Sequence, residues 1–267
     1  MKIYNAYAKV NIFLKITGLR ENYHEIISRF MRVDDLYDEL SFESKEFEEF
    51  EIIGNFSCAT EQNTIYKAYR YLVEYTNSQS LKELMQRYAI KVTKNIPAFA
   101  GLGGGSSDAA TYLKMCNEVL HLGLSLNELA TIGLKVGADV PFFIYGYNSA
   151  NVSGIGEIVE EFKEPLLSFD IYTPNIEIST PRVYKSYREN FYNPILNAEV
   201  QRLKQTNSLN VLGFFKPKEA NDLFAPALKE YKELQQHYKE GYFFSGSGSS
   251  FFSIIPPSYN SKMPKLV

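Results

Sequence analysis

Apolar residues alternate with polar ones from Ala8 to Ile16, with Lys9, Asn11 and Lys15 between them. A period of two predicts a strand with one buried face. It places Lys9 and Asn11 together on the opposite face. Further strand patterns occupy residues 28–33, 40–43, 50–53 and 88–93. They are interrupted by a helical pattern over residues 63–75, with Ile65, Ala68, Tyr69 and Leu72 on one face and Asn63 as N-cap. A second helix is predicted over residues 106–120. A third, over 126–136, opens with the capping box Ser125-Leu-Asn-Glu128 and stops at Gly137. Residues 142–145 and 149–153 read as a strand pair, and the turn at Gly154–Glu157 reads as a domain boundary. Beyond it come a strand at 169–172, helices at 182–189, 194–204 and 221–238, and a strand pair at 242–245 and 251–255. Residues 256–264 read as a tail. Strands and helices are interspersed without regular βαβ units, which predicts an α+β fold with antiparallel pairing.

Composition narrows the classes of function. The 267 residues suit one large or two modest domains, and 45% hydrophobic with 22% charged residues describes an ordinary globular chain. Lys and Arg number 28 against 31 Asp and Glu. A nucleic-acid binder ordinarily carries a basic excess, so that class is disfavoured. The N-terminus has no unbroken apolar stretch of the kind a secretory signal needs, and nowhere is there an apolar run long enough to span a membrane. The expected compartment is the cytoplasm. Two cysteines, Cys58 and Cys116, are too few for a disulfide framework or a zinc site, and Cys116 lies in an apolar helical pattern as a buried thiol. No metal-ligand cluster is visible. The oligomeric state is not legible.

The 16 glycines are informative by position. Gly101, Gly103, Gly104 and Gly105 fall within the stretch Pro97-Ala98-Phe99-Ala100-Gly101-Leu102-Gly103-Gly104-Gly105-Ser106-Ser107, between a predicted strand and a predicted helix. Glycines let a ligand approach the main chain closely, and a helix start offers free N–H groups and a positive dipole end. The pattern is that of a phosphate site; Ser106 and Ser107 add hydroxyl donors or serve as caps. No lysine follows the glycines, so this is not a Walker A loop. Its mid-chain position argues against a dinucleotide fingerprint, and the protein-kinase motifs are absent.

This stretch resembles the phosphate-binding motif of the galactokinase–homoserine kinase–mevalonate kinase–phosphomevalonate kinase (GHMP) superfamily. Ala8-Lys9-Val10-Asn11 resembles the family's N-terminal motif, and Ser245-Gly246-Ser247-Gly248-Ser249-Ser250 its C-terminal glycine motif. Gly137-Ala-Asp139-Val-Pro141 is similar to the catalytic segment of one branch, which phosphorylates a cytidine diphosphate-linked methylerythritol. The resemblance implies a two-domain GHMP kinase fold, divided as residues 1–153 and 154–267, with the active site in the interdomain cleft. It implies ATP and Mg2+ as cofactors and a small-molecule substrate. Asp139, which its local sequence would equally allow to be a cap, is implied as the general base, with Lys9 beside it. Tyr23, His24 and Tyr184 are implied to meet the cytosine, Asn11 to bond the substrate, and Gly246 and Gly248 to pack beside it. Ser107 is a possible magnesium ligand. Tyr7 and Asn22 depart from the family pattern, and the chain ends soon after Ile255. Two alternatives stay open: another small-alcohol kinase, and a non-catalytic ATP sensor on the same fold.

Overall fold

A computed structural model describes residues 2–46 and 49–256. The expected tail falls, after Pro256, outside the described residues. The chain opens with two long antiparallel strands, β1 (Tyr4–Arg20) and β2 (Tyr23–Ser44). One edge of β2 carries β1. The other carries β5 (Ser149–Gly154) along residues 26–31 and β4 (Tyr88–Thr93) along residues 39–44. β3 (Ile52–Ile53) adds to β4 in parallel, and β6 (Ile158–Glu161) adds to β5. A second sheet has the order β7 (Phe169–Tyr172), β9 (Phe251–Ile254), β8 (Phe243–Phe244).

Apolar side chains on one face of the large sheet, among them Phe30, Leu40, Ile90 and Val152, pack against helices. These are α1 (Thr64–Thr76), α2 (Gln79–Arg87), α3 (Gly104–Val119), α4 (Leu126–Val136) and α5 (Val140–Tyr145). On the other face, Ala8, Val10, Ile12 and Phe13 meet Phe169 and Phe252 of the second sheet. The same cluster takes in α7 (Asn197–Gln205) and α8 (Ser208–Phe214). α6 (Thr180–Asn190) and α9 (Phe224–Glu230) complete a third cluster around Leu14 and Ile16. The fold is α+β, as the sequence predicts. Among the described residues, no helix is long and apolar enough to cross a membrane.

Several local expectations hold. Asn63 caps α1 by accepting from the Ile65 N–H at 2.9 Å, the Ser125–Glu128 capping box forms in both directions, and Gly137 ends α4. Buried Cys116 is held well into the protonated range, its thiol pushed up to about 12 by desolvation.

Other elements correct the sequence reading. Residues 28–33 and 40–43 belong to a single strand, which passes the polar Asp34-Asp35 through a register shift opposite Tyr7 and Ala8. Residues 142–145 are helical. Their short apolar run carries no period, and Pro141 and the left-handed Gly146 delimit the turn. The predicted helix over 221–238 begins only at Phe224, because Pro226 lacks an N–H and is tolerated only in a first turn. It stops at Tyr231, and a 3-10 turn over Lys232–His237 follows. α2 and α8 were not expected. The turn at Gly154–Glu157 joins β5 to β6 inside one sheet. Residues 162–168 link β6 of the large sheet to β7 of the second.

That link is tied by a buried cation. Arg29 of β2 is fully buried and lies over the Phe162 ring. It donates to Glu164 at 3.2 Å, to Asn151 at 2.8 Å and to the carbonyls of Leu203 and Lys204. Glu164 also accepts from the Ser208 N–H at 2.8 Å, at the start of α8. Removing one member of a buried pair strands the other. Glu164→Ala is expected to cost about 3–5 kcal/mol of unfolding free energy, read by urea titration. Glu118→Ala, in the exposed pair with Lys2, should leave the midpoint of the same titration nearly unchanged.

Candidate active site

β1 carries Lys9 and Asn11 on one face, but that face is not solvated: Lys9 is 2% and Asn11 1% exposed. An alternating pattern shows which residues share a face, not what covers it. Here the cover is the glycine loop. The Lys9 N–H donates to the Leu102 carbonyl at 3.0 Å, and Lys9 Nζ donates to the Gly101 carbonyl at 3.0 Å and to Asn11 Oδ1 at 2.5 Å. Nζ also lies 4.6 Å from the centre of the Phe30 ring and 3.5 Å from Asp139 Oδ2. Burial lowers the Lys9 pKa, while Asp139 pulls it back up.

Asp139 stands at the N-cap position of α5, yet its side chain makes no capping hydrogen bond. The reading as a cap aspartate therefore fails. The carboxylate remains about one-third exposed and faces the cavity beside Lys9.

Two glycine-rich segments close on each other across this point. The N–H groups of Ser249 and Ser250 donate to the carbonyls of Phe99 and Ala100, at 3.2 and 3.0 Å. Ser245 Oγ donates to the Gly101 carbonyl at 3.1 Å. Gly101 has φ +73°, and a Cβ there would overlap the Ser245 carbonyl oxygen. Gly103, at φ +76°, caps α3, and its Cβ would come within 2.7 Å of the Phe143 ring. Asn221, which the sequence did not single out, holds the second loop by donating to the carbonyls of Phe244 and Gly246 at 2.9 and 2.8 Å.

Together these segments wall a cavity of about 670 Å³. Pro97 through Ser106 line it without a break, as do Lys9, Asn11, Asp139, Tyr184, Gly246 and Gly248. Asn63, Thr64, Lys94 and Asp108 also line it, none of them expected as site residues. Lys94 Nζ donates to Asp108 Oδ2 at 2.7 Å and pairs also with fully buried Asp38. Asp38 in turn accepts the N–H groups of Asn95 and Ile96, at 2.5 and 2.8 Å, and so pins the start of the glycine loop. Two buried carboxylates thus share one ammonium. Desolvation, reinforced by Asp38 and opposed by Lys94, pushes the Asp108 carboxyl up to about 7. Asp108 Oδ1 has no partner.

A scan against family models matches residues 63–147 to the GHMP kinase N-terminal domain. The chain is 71% identical to 4-diphosphocytidyl-2-C-methyl-D-erythritol kinase of Sulfurimonas denitrificans over 258 residues, covering 95% of this chain and 97% of that one. It is 46% identical to the Campylobacter jejuni subsp. doylei enzyme of the same name, covering 93% and 98%. The chain belongs to the 4-diphosphocytidyl-2-C-methyl-D-erythritol kinase family. A crystal structure of 4-(cytidine 5'-diphospho)-2C-methyl-D-erythritol kinase superposes with TM-score 0.72 at 28% identity, covering 96% of this chain and 90% of that one. Methanococcus jannaschii mevalonate kinase shares the fold, with TM-score 0.56 at 15% identity over 95% and 90%.

The family's aromatic residues divide in this chain. Tyr184 of α6 lines the cavity; burial and nearby Asp139 both raise its hydroxyl pKa. His24 is buried against it, with ring centres 5.0 Å apart, and meets the edge of Tyr187 at 5.7 Å. Its Nε2 has no partner, and burial, then Arg188, lowers its pKa. Neither His24 nor Tyr23 is part of the cavity wall: His24 is buried behind Tyr184, and Tyr23, turned the other way by strand alternation, is 61% exposed. Ser107 is likewise absent: with α3 starting at Gly104, a helical turn carries its side chain into the interior while Ser106 faces the cavity. Thr180 Oγ1, bonded to Ser247 Oγ at 2.6 Å, fixes the start of α6 to the second loop.

Two outcomes follow from this geometry. Gly101→Ala combines about 1–2 kcal/mol of left-handed backbone cost with the overlap on Ser245. It is expected to lower the melting temperature and to abolish the stabilisation given by added nucleotide, both read in one thermal-shift titration. Asp108 binds its proton more tightly in the folded than in the unfolded chain, so stability should fall as pH rises from the ordinary carboxyl value of 3.8 towards about 7. Asp108→Asn should flatten that slope when melting is followed between about pH 5 and pH 7.

Proposed function

We propose that this chain transfers the γ-phosphoryl group of ATP to the 2-hydroxyl of 4-diphosphocytidyl-2-C-methyl-D-erythritol, a step in non-mevalonate isoprenoid precursor synthesis. The observation that carries the reading is the uncapped Asp139 carboxylate 3.5 Å from buried Lys9 Nζ, at the wall of a glycine-lined cavity. Phosphoryl transfer asks a protein mainly for alignment and charge stabilisation. Asp139 accepts the proton of the substrate hydroxyl. Lys9, held by Asn11 and the Gly101 carbonyl, orients that carboxylate and stabilises the alkoxide as it develops. The first N–H groups of α3, free of intrahelical partners, and the loop from Pro97 to Ser106 hold the phosphates.

Asn11 is already engaged by Lys9 and by Ser28 at 3.0 Å, so its main work is to orient Lys9. Tyr184 at the cavity wall offers an aromatic platform to a cytosine, and His24 packs behind its ring. Tyr23 takes no part in this reading. Gly246 and Gly248 let the second loop approach the substrate. Magnesium binds readily through few protein oxygens when phosphates supply the rest, and the Ser106 hydroxyl at the cavity wall fits that role. When bound, the ion neutralises the transferring phosphates.

ADP release is the test, with ATP, magnesium and each of three alcohols: the cytidine substrate, mevalonate and homoserine. Turnover of the first alone is expected; turnover of either other alcohol in its place would reject the substrate assignment. Asp139→Asn should lower kcat by about 10²–10⁴-fold with ATP affinity unchanged by calorimetry. A near-wild-type rate would remove Asp139 from the role of base.

A further inference from the structure

We propose that Ser28 is a positioning residue for the phosphoryl-transfer site, setting the direction of a hydrogen-bond relay that holds the Lys9 ammonium; the proposal rests on the reading of Lys9 given above. Ser28 lies on β2, is fully buried, and is not part of the cavity wall. It cannot touch substrate. It touches Asn11: the Asn11 Nδ2 donates to Ser28 Oγ at 3.0 Å. The Ser28 hydroxyl donates its own hydrogen to the Phe13 carbonyl. Phe13 follows the register shift between Asn11 and Phe13 on β1.

The direction of each bond is forced. A backbone carbonyl only accepts, so the Ser28 hydrogen is committed to Phe13. Towards Asn11 the Ser28 oxygen then only accepts, so the amide must turn its NH2 group to Ser28. That leaves Oδ1 facing Lys9, whose ammonium has donors and no acceptor. The 2.5 Å contact between Lys9 Nζ and Asn11 Oδ1 depends on this order. An Asn amide without Ser28 is free to flip, and the flipped form sets two donors against each other. In a buried site an unsatisfied donor is disfavoured, and the ammonium form of Lys9 loses support.

The groups around Lys9 leave that effect readable. Asp139, from the start of α5, is the charged side chain at 3.5 Å. Arg32 pairs across the sheet with Lys9 but is turned to Asp34 at 2.6 Å and to the Tyr7 ring. Lys114 of α3 donates to the Phe143 carbonyl at 2.9 Å. The loop over residues 245–250 brings only serine and glycine.

The experiment compares Ser28→Ala, Ser28→Thr and Ser28→Val. Thr and Val add the same bulk, so any packing penalty cancels between them and the hydroxyl is the difference. Lys9 titration is followed by NMR of its 13C-labelled Cε, assigned by loss of the signal in Lys9→Arg. Ala and Val are expected to move the Lys9 titration to lower pH than wild type, and Thr to leave it in place. With the cytidine substrate, Ala and Val should lower kcat by about tenfold, the scale of one hydrogen bond to a charged group, with the KM for ATP unchanged. In an Asn11→Ala background, Ser28→Ala should add less than about twofold, because the relay is already broken. A Lys9 titration equal in Val and Thr variants, or fully multiplicative losses for Asn11→Ala and Ser28→Ala, would overturn the proposal. The titration needs no substrate. A failed substrate assignment therefore appears as absent turnover in the wild type, separate from failure of the relay.

Discussion

An unpaired strand edge that is buried must find partners for its N–H and C=O groups, and the outer edge of β1 is such an edge. β2 takes one side of β1. The other side is satisfied piece by piece from distant parts of the chain. Leu102 of the glycine loop accepts from Lys9; Ala220 accepts from Leu14, which accepts from Asp222; Ile195 donates to Ile16. The Asp222 side chain adds a bond to the Ile16 N–H and an ion pair with Lys15. The site exists because these segments meet on one strand. Lys9 and Asn11 sit where the stitching passes from the glycine loop to the C-terminal half.

Burial of Lys9 follows from that arrangement and needs compensation. A desolvated ammonium without partners sheds its proton. Here it has the Gly101 carbonyl, the Asn11 amide, the Phe30 ring face and Asp139. The same logic recurs elsewhere on the cavity wall, where Lys94 lies between Asp38 and Asp108. In both places a half-buried or buried lysine is held by groups that also shape the glycine loop, so loop geometry and local charge are set together.

Much of this was legible in sequence. The glycine run, Ala8–Asn11, Gly137–Pro141 and Ser245–Ser250 are each local strings whose chemistry is written in a few residues, and they converge on one cavity. Caps at Asn63, Ser125 and Gly137 were equally readable. What sequence could not supply was the environment of each residue. Lys9 reads as a solvated strand lysine until the loop that covers it is placed. Tyr23 and His24 are neighbours in sequence but face opposite ways. The six apolar residues from Val140 to Tyr145 hold no period that separates helix from strand. Lys94, Asp108 and Asn221 lie in no motif, and the partners described above are 14 to 56 residues away; only the tertiary fold brings them together.

β1 also contributes to both sides of the molecule at once. Its Ala6 side chain joins the helical core, its Val10 and Ile12 join the cluster with Phe169 and Phe252, and its Leu14 and Ile16 join the cluster with Phe224 and Phe251. A single strand is thus shared among three hydrophobic clusters, and neither half of the chain can be excised without exposing apolar surface on the other. The two sheets are therefore coupled by packing on a strand they share. Loss of packing at the second sheet is felt at Lys9 through the strand they have in common.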